Sequence, residues 1–554
     1  MKYVAATSGS SVSFVFNSLP RTRGKNAATR RNKYLSAHGT PPLFSPAMSS
    51  AFATQSPIDA SELAVVSATP LDDLTVIVER AREAQRAWAL RSVFERIGVV
   101  KNLRDRILDR AASIASTVHK EVGKPEVEVL LGEVLSSADV VTYWCDAVEE
   151  LLDSTLVELD RLSFPRKSGV IHKDPRGVVA LITPWNFPVA LPLRTLLPAL
   201  LAGNAVIFKP SEISPRSGQI VSELFEGLLP PNVLTTVQGG GDLGARLAEA
   251  DVDLVVFTGS VESGRKVAHA CAERLSPCAI ELGGKDAAIV LADANLDRAA
   301  HGVVWGALTN AGQNCAAVER VYVEKSVAEV FTAKVVEAVR ALRTGIDVGP
   351  LTTLRQQAIV VRHVDDAKTA GAKVLAGGSK GEGSAFEPTV LSVESDDLVV
   401  MRDETFGPVI PIAVVENAEE AVRRANASRY GLTASLWTKN IRKGEELASR
   451  LRAGVVTINN HAFTGALPAA PWSGHGDTGY GITNSPLALD VLTRPRFVLV
   501  DRSRAKRELW WYPYTDGLRN VALAFTVLRS GTSGIFAKMR AVFTLLGGLA
   551  KRWR

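Results

Sequence analysis

The chain has 554 residues, 46% of them hydrophobic and 22% charged, too long for one ordinary core and too apolar for disorder, so two or three globular domains are expected. The net charge of +6 sits mainly at the two ends: no acid precedes Asp59 and none follows Asp516, which leaves a near-neutral body and argues against a nucleic-acid partner. There is no charge-free apolar run of membrane-spanning length, and the 4 cysteines (Cys145, Cys271, Cys278 and Cys315) lack Cys-x-x-Cys or metal-ligand spacing, so neither a disulfide scaffold nor a bound metal is expected and the chain reads as intracellular and reduced.

Residues 1–55 are basic, rich in Ser and Ala, and without periodic apolar pattern. Three readings stay open for 1–47: an organellar presequence, an extension without function, or translation from Met48. From Asp72 the pattern turns helical, with Leu74, Val78, Ala81, Ala84 and Trp88 on one stripe, and helices continue to about Leu152 with a break at Gly123-Lys124-Pro125. Short apolar runs then alternate with helical stretches such as Ser217–Leu229. Gly177–Ile182 ends at Thr-Pro-Trp-Asn-Phe-Pro, Ala205–Phe208 at Lys-Pro-Ser-Glu, and Leu254–Phe257 at Thr-Gly-Ser. Buried strands alternating with helices predict a parallel, doubly wound sheet, with ligands beyond the C-terminal strand ends where those polar sequences lie. Beyond Glu281 the alternation resumes, with strands at 287–291, 321–323 and 455–459 and helices near 326–342 and 418–426.

Several short segments have the composition of a site. Gly239–Gly244 fits G-x-G-x-x-G but lacks the acidic residue that completes a dinucleotide fingerprint, so a flexible turn competes with a phosphate loop. Gly259–Gly264 follows a strand and is expected to open a helix near Arg265, offering unpaired N–H groups to a phosphate. Glu281 precedes Gly283-Gly284 at a presumed domain junction. The apolar residues before it imply enclosure, which would raise its proton affinity towards that of a general base. Cys315 follows the polar turn Gly312-Gln-Asn. It is either a small buried hydrophobe or an accessible nucleophile.

In this order the blocks TPWNFP (183–188), KPSE (209–212), FTGSxxxG (257–264), ELGGK (281–285), GQNC (312–315) and ETFGP (404–408) resemble the aldehyde dehydrogenase superfamily, over about residues 60–500. The resemblance implies two doubly wound α/β domains, one Rossmann-like for the cofactor and one catalytic, with a small bridging element for oligomerisation. It implies a cofactor domain at 56–280 with bridging strands near 155–175, a catalytic domain at 281–470, a return to the first domain at 471–503, and a homodimer or homotetramer. It implies Cys315 as the nucleophile that carries a thiohemiacetal and then a thioester, Glu281 as the base that activates water, and Asn186 as a donor to the oxyanion. Around the cofactor it puts Thr183, Pro184 and Trp185, Lys209 and Glu212 at the adenosine ribose, Gly239 near the adenine, Gly259, Ser260 and Gly264 at the pyrophosphate, Leu282, Glu404 at the second ribose and Phe406 beside the nicotinamide. A carboxylate at 212 leans towards NAD without excluding NADP.

Two departures stand out. The late loop reads Pro471-Trp-Ser-Gly-His-Gly-Asp-Thr-Gly479 where the family often has Pro-Phe-Gly-Gly. The core chemistry is expected to be independent of it, and substrate contacts are not. No Arg or Lys is evident that would grip a substrate carboxylate. Residues 504–554 exceed the family's usual length. There, Trp510-Trp-Tyr-Pro-Tyr514 precedes a helix with Ile535, Met539, Val542, Phe543, Leu546, Leu549 and Trp553 on one face. Such a basic amphipathic tail suits an anionic membrane surface, or packs on the body or another subunit. A cytoplasmic enzyme with peripheral membrane contact is expected, acting on a long-chain aldehyde in that case. A thiol hydrolase, a CoA-acylating enzyme and a non-catalytic scaffold are the competing readings.

Overall fold

The computed structural model describes residues 51–552, apart from Ala64, Leu162, Ala462 and Leu509. The readings of the basic head concern residues 1–47, which lie outside the described residues, as does Trp553. Ala51–Phe52 (β1) pairs antiparallel with Val66–Ser67 (β2). Residues 51–55 therefore belong to ordered structure and not to the expected extension. Ser56 closes the ribbon, its N–H donating to the Ser61 carbonyl at 2.9 Å and its own carbonyl accepting from Ala60.

Helices occupy Leu74–Ala89 through Ser136–Leu152. The predicted stripe is the inward face, since Leu74, Val78, Ala81 and Trp88 are buried. Gly123 ends the helix Ala111–Val122 in a left-handed conformation that a Cβ would disfavour. Thr155–Val157 (β3) and Lys167–Pro175 (β4) then form an antiparallel pair.

Next comes the five-stranded parallel sheet: Val178–Ile182 (β5), Ala205–Lys209 (β6), Leu234–Thr236 (β7), Leu254–Gly259 (β8) and Cys278–Leu282 (β9), in the order β7-β6-β5-β8-β9. β5 and β6 are buried along their whole length, as an inner strand covered by helices on both faces must be. The register aligns Ile182 with Lys209 and Phe257, and Gly259 with Leu282. The polar segments that follow these strands therefore emerge along one edge.

The second sheet holds Asp286–Val290 (β10), Val318–Glu324 (β11), Lys373–Ala376 (β12), Thr389–Val393 (β13), Val409–Val415 (β14), Thr433–Trp437 (β15) and Val455–Ile458 (β16), in the order β12-β13-β14-β11-β10-β15-β16. Only the β12–β13 pairing is antiparallel. Glu281 lies on β9, so the chain passes between the sheets at Gly283–Lys285, just beyond the expected boundary at 280/281. The apolar run before Glu281 continues the first sheet through Leu282. Thr493–Asp501 (β17) adds to β4 over nine residue pairs, which completes the bridging sheet β17-β4-β3.

The tail forms a hairpin of two helices, Asp516–Arg529 and Ile535–Arg552, where the sequence reading had identified one. Val521 and Ala524 pack against Ala541 and Leu545.

Candidate active site

The stretch between the sheets explains why two glycines follow Glu281. A Cβ at Gly283 would lie 2.2 Å from a Glu404 carboxyl oxygen, and one at Gly284 would lie 2.4 Å from the Cys315 carbonyl. Only a backbone without side chains admits both neighbours. Glu281, Cys315 and Glu404 are thereby drawn to one place from three distant parts of the chain.

Glu281 is buried. Its Oε1 accepts from Trp472 Nε1 at 3.2 Å, and its Oε2 has no hydrogen-bond partner. Burial raises its proton affinity, and the Trp472 donor and the Arg194 charge hold the rise back. Cys315 is half-buried, just ahead of β11. Burial, then the carboxyls of Glu281, Asp286 and Glu404, push its thiol well above the usual range. Cys315 and Glu281 therefore both hold a proton more firmly than a solvated thiol or carboxylate does.

The turn before Cys315 takes its shape from Asn310 and Ala311, both at positive φ (55° and 54°). Asn310 is held by its backbone N–H, which donates to Glu128 at 2.8 Å, and by its side chain, which donates to the carbonyls of Asn186 and Gln313 at 3.1 Å. Burial pushes the Glu128 carboxyl up to about 7. Asn186 Nδ2 donates to the Gln313 carbonyl at 3.1 Å, so the TPWNFP segment meets the GQNC segment directly. Among the described residues the Cys315 backbone N–H donates to no acceptor.

Glu404 Oε1 accepts from the Gly284 N–H at 3.2 Å, and burial followed by the nearby Glu319 charge pushes its carboxyl up to about 8. The backbone N–H groups of Thr405 and Phe406 each donate to Glu319 at 2.7 Å, and Glu319 is ion-paired with buried Lys285. Phe406, at φ 50°, presents its ring to Trp185 edge-on, 5.7 Å between centroids.

The other sequence-predicted residues line the edge of the five-stranded sheet. Thr183 donates its N–H to the Lys209 carbonyl at 3.2 Å. Lys209 Nζ donates to the Pro210 carbonyl at 3.0 Å and reaches Glu212 at 3.4 Å; the Glu212 side chain is 45% exposed. Gly239 follows β7. Ser260 caps the helix Val261–Glu273, which begins four residues before the expected Arg265 because the Ser260 hydroxyl already accepts from the Ser263 N–H. Gly264 packs on Leu282. Thr183 Oγ1, Gln238 Oε1 and Asp242 Oδ1 are buried here without partners. Orphaned polar atoms, a capped helix start, and a cation beside a part-exposed carboxylate suit a polyhydroxylated, phosphorylated ligand.

Two expectations need correction. The late loop was expected to leave the core chemistry alone. Instead Trp472 bonds Glu281, Gly479 bridges to Glu281 as a further strand-like partner, and Thr478 Oγ1 donates to the Gly283 carbonyl at 3.0 Å. The loop completes the exposed side of β9, which has no other strand to satisfy it. No cation was evident for the pocket, yet Arg194 lies near enough to Cys315 and Glu281 to interact with both charges, and its Nε is buried without a partner. A lone arginine in the apolar helix Ala190–Leu201 was the available signal. The same signal, an acid within the buried strand β11, marked Glu319. Trp472 lay in the departing late loop with no sign of its contact to Glu281, and nothing in the sequence marked His461, whose Nε2 donates to the Ala316 carbonyl at 2.7 Å.

A family model described as the aldehyde dehydrogenase family matches residues 44–498. The chain belongs to the aldehyde dehydrogenase family. As a member, it is an enzyme that oxidises aldehydes with NAD(P)+. It is similar to a 4,4'-diapolycopene aldehyde oxidase of Methylomonas sp, 37% identical over 79% of this chain and 83% of the relative. It is also similar to a putative succinate-semialdehyde dehydrogenase [NADP(+)] of Mycolicibacterium smegmatis, 37% identical over 76% of this chain and 83% of that one. Among solved structures, an NAD+ complex of aldehyde dehydrogenase from Bacillus cereus aligns with a TM-score of 0.79 and 31% identity, over 82% of this dehydrogenase and 94% of the other. A putative aldehyde dehydrogenase from Burkholderia cenocepacia aligns with a TM-score of 0.80 and 30% identity, over 84% and 96%.

Proposed function

We propose that the dehydrogenase works through a covalent thioester on Cys315, hydrolysed with Glu281 as base. The observation that carries this is the pairing of a thiol and a carboxyl, each with raised proton affinity, in one enclosure beside Asn186. Glu281 accepts the thiol proton as Cys315 Sγ bonds to the aldehyde carbon. The carbonyl oxygen then carries negative charge, and the second N–H of Asn186 Nδ2 and the Cys315 backbone N–H are its donors. The Arg194 charge favours the anionic forms of Cys315 and Glu281. NAD(P)+, when bound, supplies the two-electron acceptor that takes hydride from the tetrahedral carbon and leaves the thioester. Glu281, having passed the thiol proton to solvent, removes a proton from water; the new C–O bond forms, the C–S bond breaks, the carboxylic acid leaves, and that proton returns to Cys315 to restore its thiol.

In this reading Lys209 and Glu212 hold the adenosine ribose, with Glu212 favouring NAD over NADP by repelling a 2′-phosphate. Gly239 adjoins the adenine. Gly259, Ser260 and Gly264 receive the pyrophosphate at the helix start. Thr183, Pro184, Trp185, Leu282, Glu404 and Phe406 surround the nicotinamide end. The enzyme works as a homodimer or homotetramer in the cytoplasm, with peripheral membrane contact through residues 504–554.

The preferred substrate is a long, apolar aldehyde, in keeping with that contact. Arg194 favours a second reading, an aldehyde that carries a carboxylate. Absorbance at 340 nm with hexadecanal and with succinate semialdehyde, beside Cys315→Ala, separates the two. Intact-mass detection of an acyl adduct that needs Cys315 tests the thioester itself, and its absence under turnover would overturn the mechanism.

A further inference from the structure

The C-terminal hairpin leaves a face that none of the described residues covers. On Ile535–Arg552, the side chains of Ile535, Phe536, Met539, Val542, Phe543 and Leu546 are exposed, Phe536 to 84%. At about 100° per residue they fill an arc of about 120°, while Ala541 and Leu545 point the other way, into the hairpin. Gly548 lets the two helices meet, since a Cβ there would lie 2.2 Å from Val521. Lys538 and Arg540 fall on opposite borders of the exposed arc by the same spacing. From Gly517 onward there is no acid, whereas Arg519, Arg529, Lys538, Arg540, Lys551 and Arg552 are present.

The hairpin is fixed to the body. Lys167 on β4 is paired with Asp501 and Glu508, both at 2.8 Å, Arg529 donates to Ser163, and Phe164 meets Trp510 edge-on. Between hairpin and bridging sheet lies a cavity of about 680 Å³ lined by Phe164, Trp510, Phe525, Val542, Leu545 and Leu546. Val542 and Leu546 also belong to the exposed stripe, so cavity and stripe are continuous. Trp510, Trp511, Tyr512 and Tyr514 are exposed nearby, each a ring with a polar tip.

We infer that this hairpin docks the dehydrogenase on an anionic phospholipid surface. The inference rests on the peripheral membrane contact proposed above and gives it a partner and a geometry. The stripe enters the acyl boundary, Lys538 and Arg540 reach out to phosphates on either side, and an acyl chain fills the cavity. No helix among the described residues is long and apolar enough to cross a membrane, and an apolar stripe running along Ile535–Arg552 suits a helix lying parallel to the surface. A second copy's hairpin suits the face poorly, because from Gly517 onward each hairpin carries basic residues and no acid, and the two would repel.

Flotation of the full-length enzyme with vesicles of phosphatidylcholine, or of equal parts phosphatidylcholine and phosphatidylglycerol, tests this. The enzyme is expected to float with the anionic vesicles only and to release in high salt. Phe536→Glu with Phe543→Glu, and separately Lys538→Glu with Arg540→Glu, are each expected to lower the floated fraction about tenfold. Oxidation of soluble hexanal is expected to stay at the parent level in both variants, which reports an intact fold independently of docking. If the parent enzyme sediments with both vesicles, or if the variants float as it does, the inference fails. It also fails if light scattering shows the Phe536→Glu/Phe543→Glu variant falling to a smaller mass while the parent does not float, since a second copy then covers the face. Absence of turnover of both hexanal and hexadecanal in the parent would count against the proposed substrate reading and leave the flotation result standing.

Discussion

The Trp472 indole N–H donates to Glu281 Oε1 at 3.2 Å, although the two residues are 191 positions apart. A donor to a carboxylate lowers its proton affinity, so removal raises it further. Trp472→Phe is therefore expected to move the acidic limb of the kcat–pH profile up by about one pH unit, with a small loss at alkaline pH. An unmoved limb would show that Glu281 does not report there.

Glu281→Gln keeps the shape of the site and removes the base. Turnover is expected to fall by about 10²–10⁴-fold, with acyl-enzyme accumulating because its hydrolysis is slowed. Stopped-flow absorbance should show a burst of reduced cofactor, and intact mass should show acylated Cys315. Slow turnover with no adduct would mean that loss of the thiol-proton acceptor makes thioester formation the slow step, and that hydrolysis is not the step that most needs Glu281.

Asn186→Ala removes a donor from the place where the oxyanion would form, and leaves Cys315 in place. A loss of about 10²–10³ in kcat is expected, with KM little changed. A change confined to KM would assign Asn186 to substrate binding instead.

Glu319 holds the Thr405 and Phe406 backbone and is paired with buried Lys285. Glu319→Ala leaves that lysine buried without its carboxylate partner, with only Thr405 Oγ1 to accept from it, at a cost of about 3–5 kcal/mol. Urea unfolding is expected to show a lower midpoint with an unchanged slope. NAD affinity by calorimetry should also fall, because Phe406 loses its support. Unaltered unfolding would refute the structural part.

Burial pushes the carboxyl of Asp286 up to about 7. A carboxyl raised in the folded state binds its proton more tightly than in the unfolded chain, so its contribution is full below the unfolded value near 3.8 and is lost as pH rises through about 7. Asp286→Asn keeps an acceptor for Thr433 Oγ1, which donates to Asp286 at 2.6 Å. The gap in melting temperature, variant minus parent, is expected to widen in favour of the variant between pH 5 and pH 8. A constant gap would mean that Asp286 does not titrate there.

Much of the site was legible before any coordinates. Cys315, Glu281, Asn186 and the cofactor-edge residues occur in short contiguous blocks, because each block lies at a strand end or in the turn beside it and its own residues make that local shape. Asn310 and Gly312 take up positive φ just before Cys315, and Ser260 caps its own helix. Arg194, Glu319 and Trp472 were not recognised. Each acts on a residue far along the chain, and a single arginine, glutamate or tryptophan carries no local pattern that says which one.

The sequence by itself determined the alternation of buried strands and helices, the polar blocks that end the strands, and the basic, apolar character of the tail, since these follow from hydrophobic period and local turn chemistry. Tertiary structure decided what those parts meet. Parallel strands align their C-terminal ends whatever their separation in the chain, and Gly283-Gly284 brings Glu404 and the Cys315 backbone into contact because nothing there stands in the way. Tertiary structure also made one amphipathic stretch into half of a hairpin, which spends one apolar face on its partner and leaves the other uncovered by the described residues. Which face is buried depends on the neighbour, and periodicity alone does not name the neighbour.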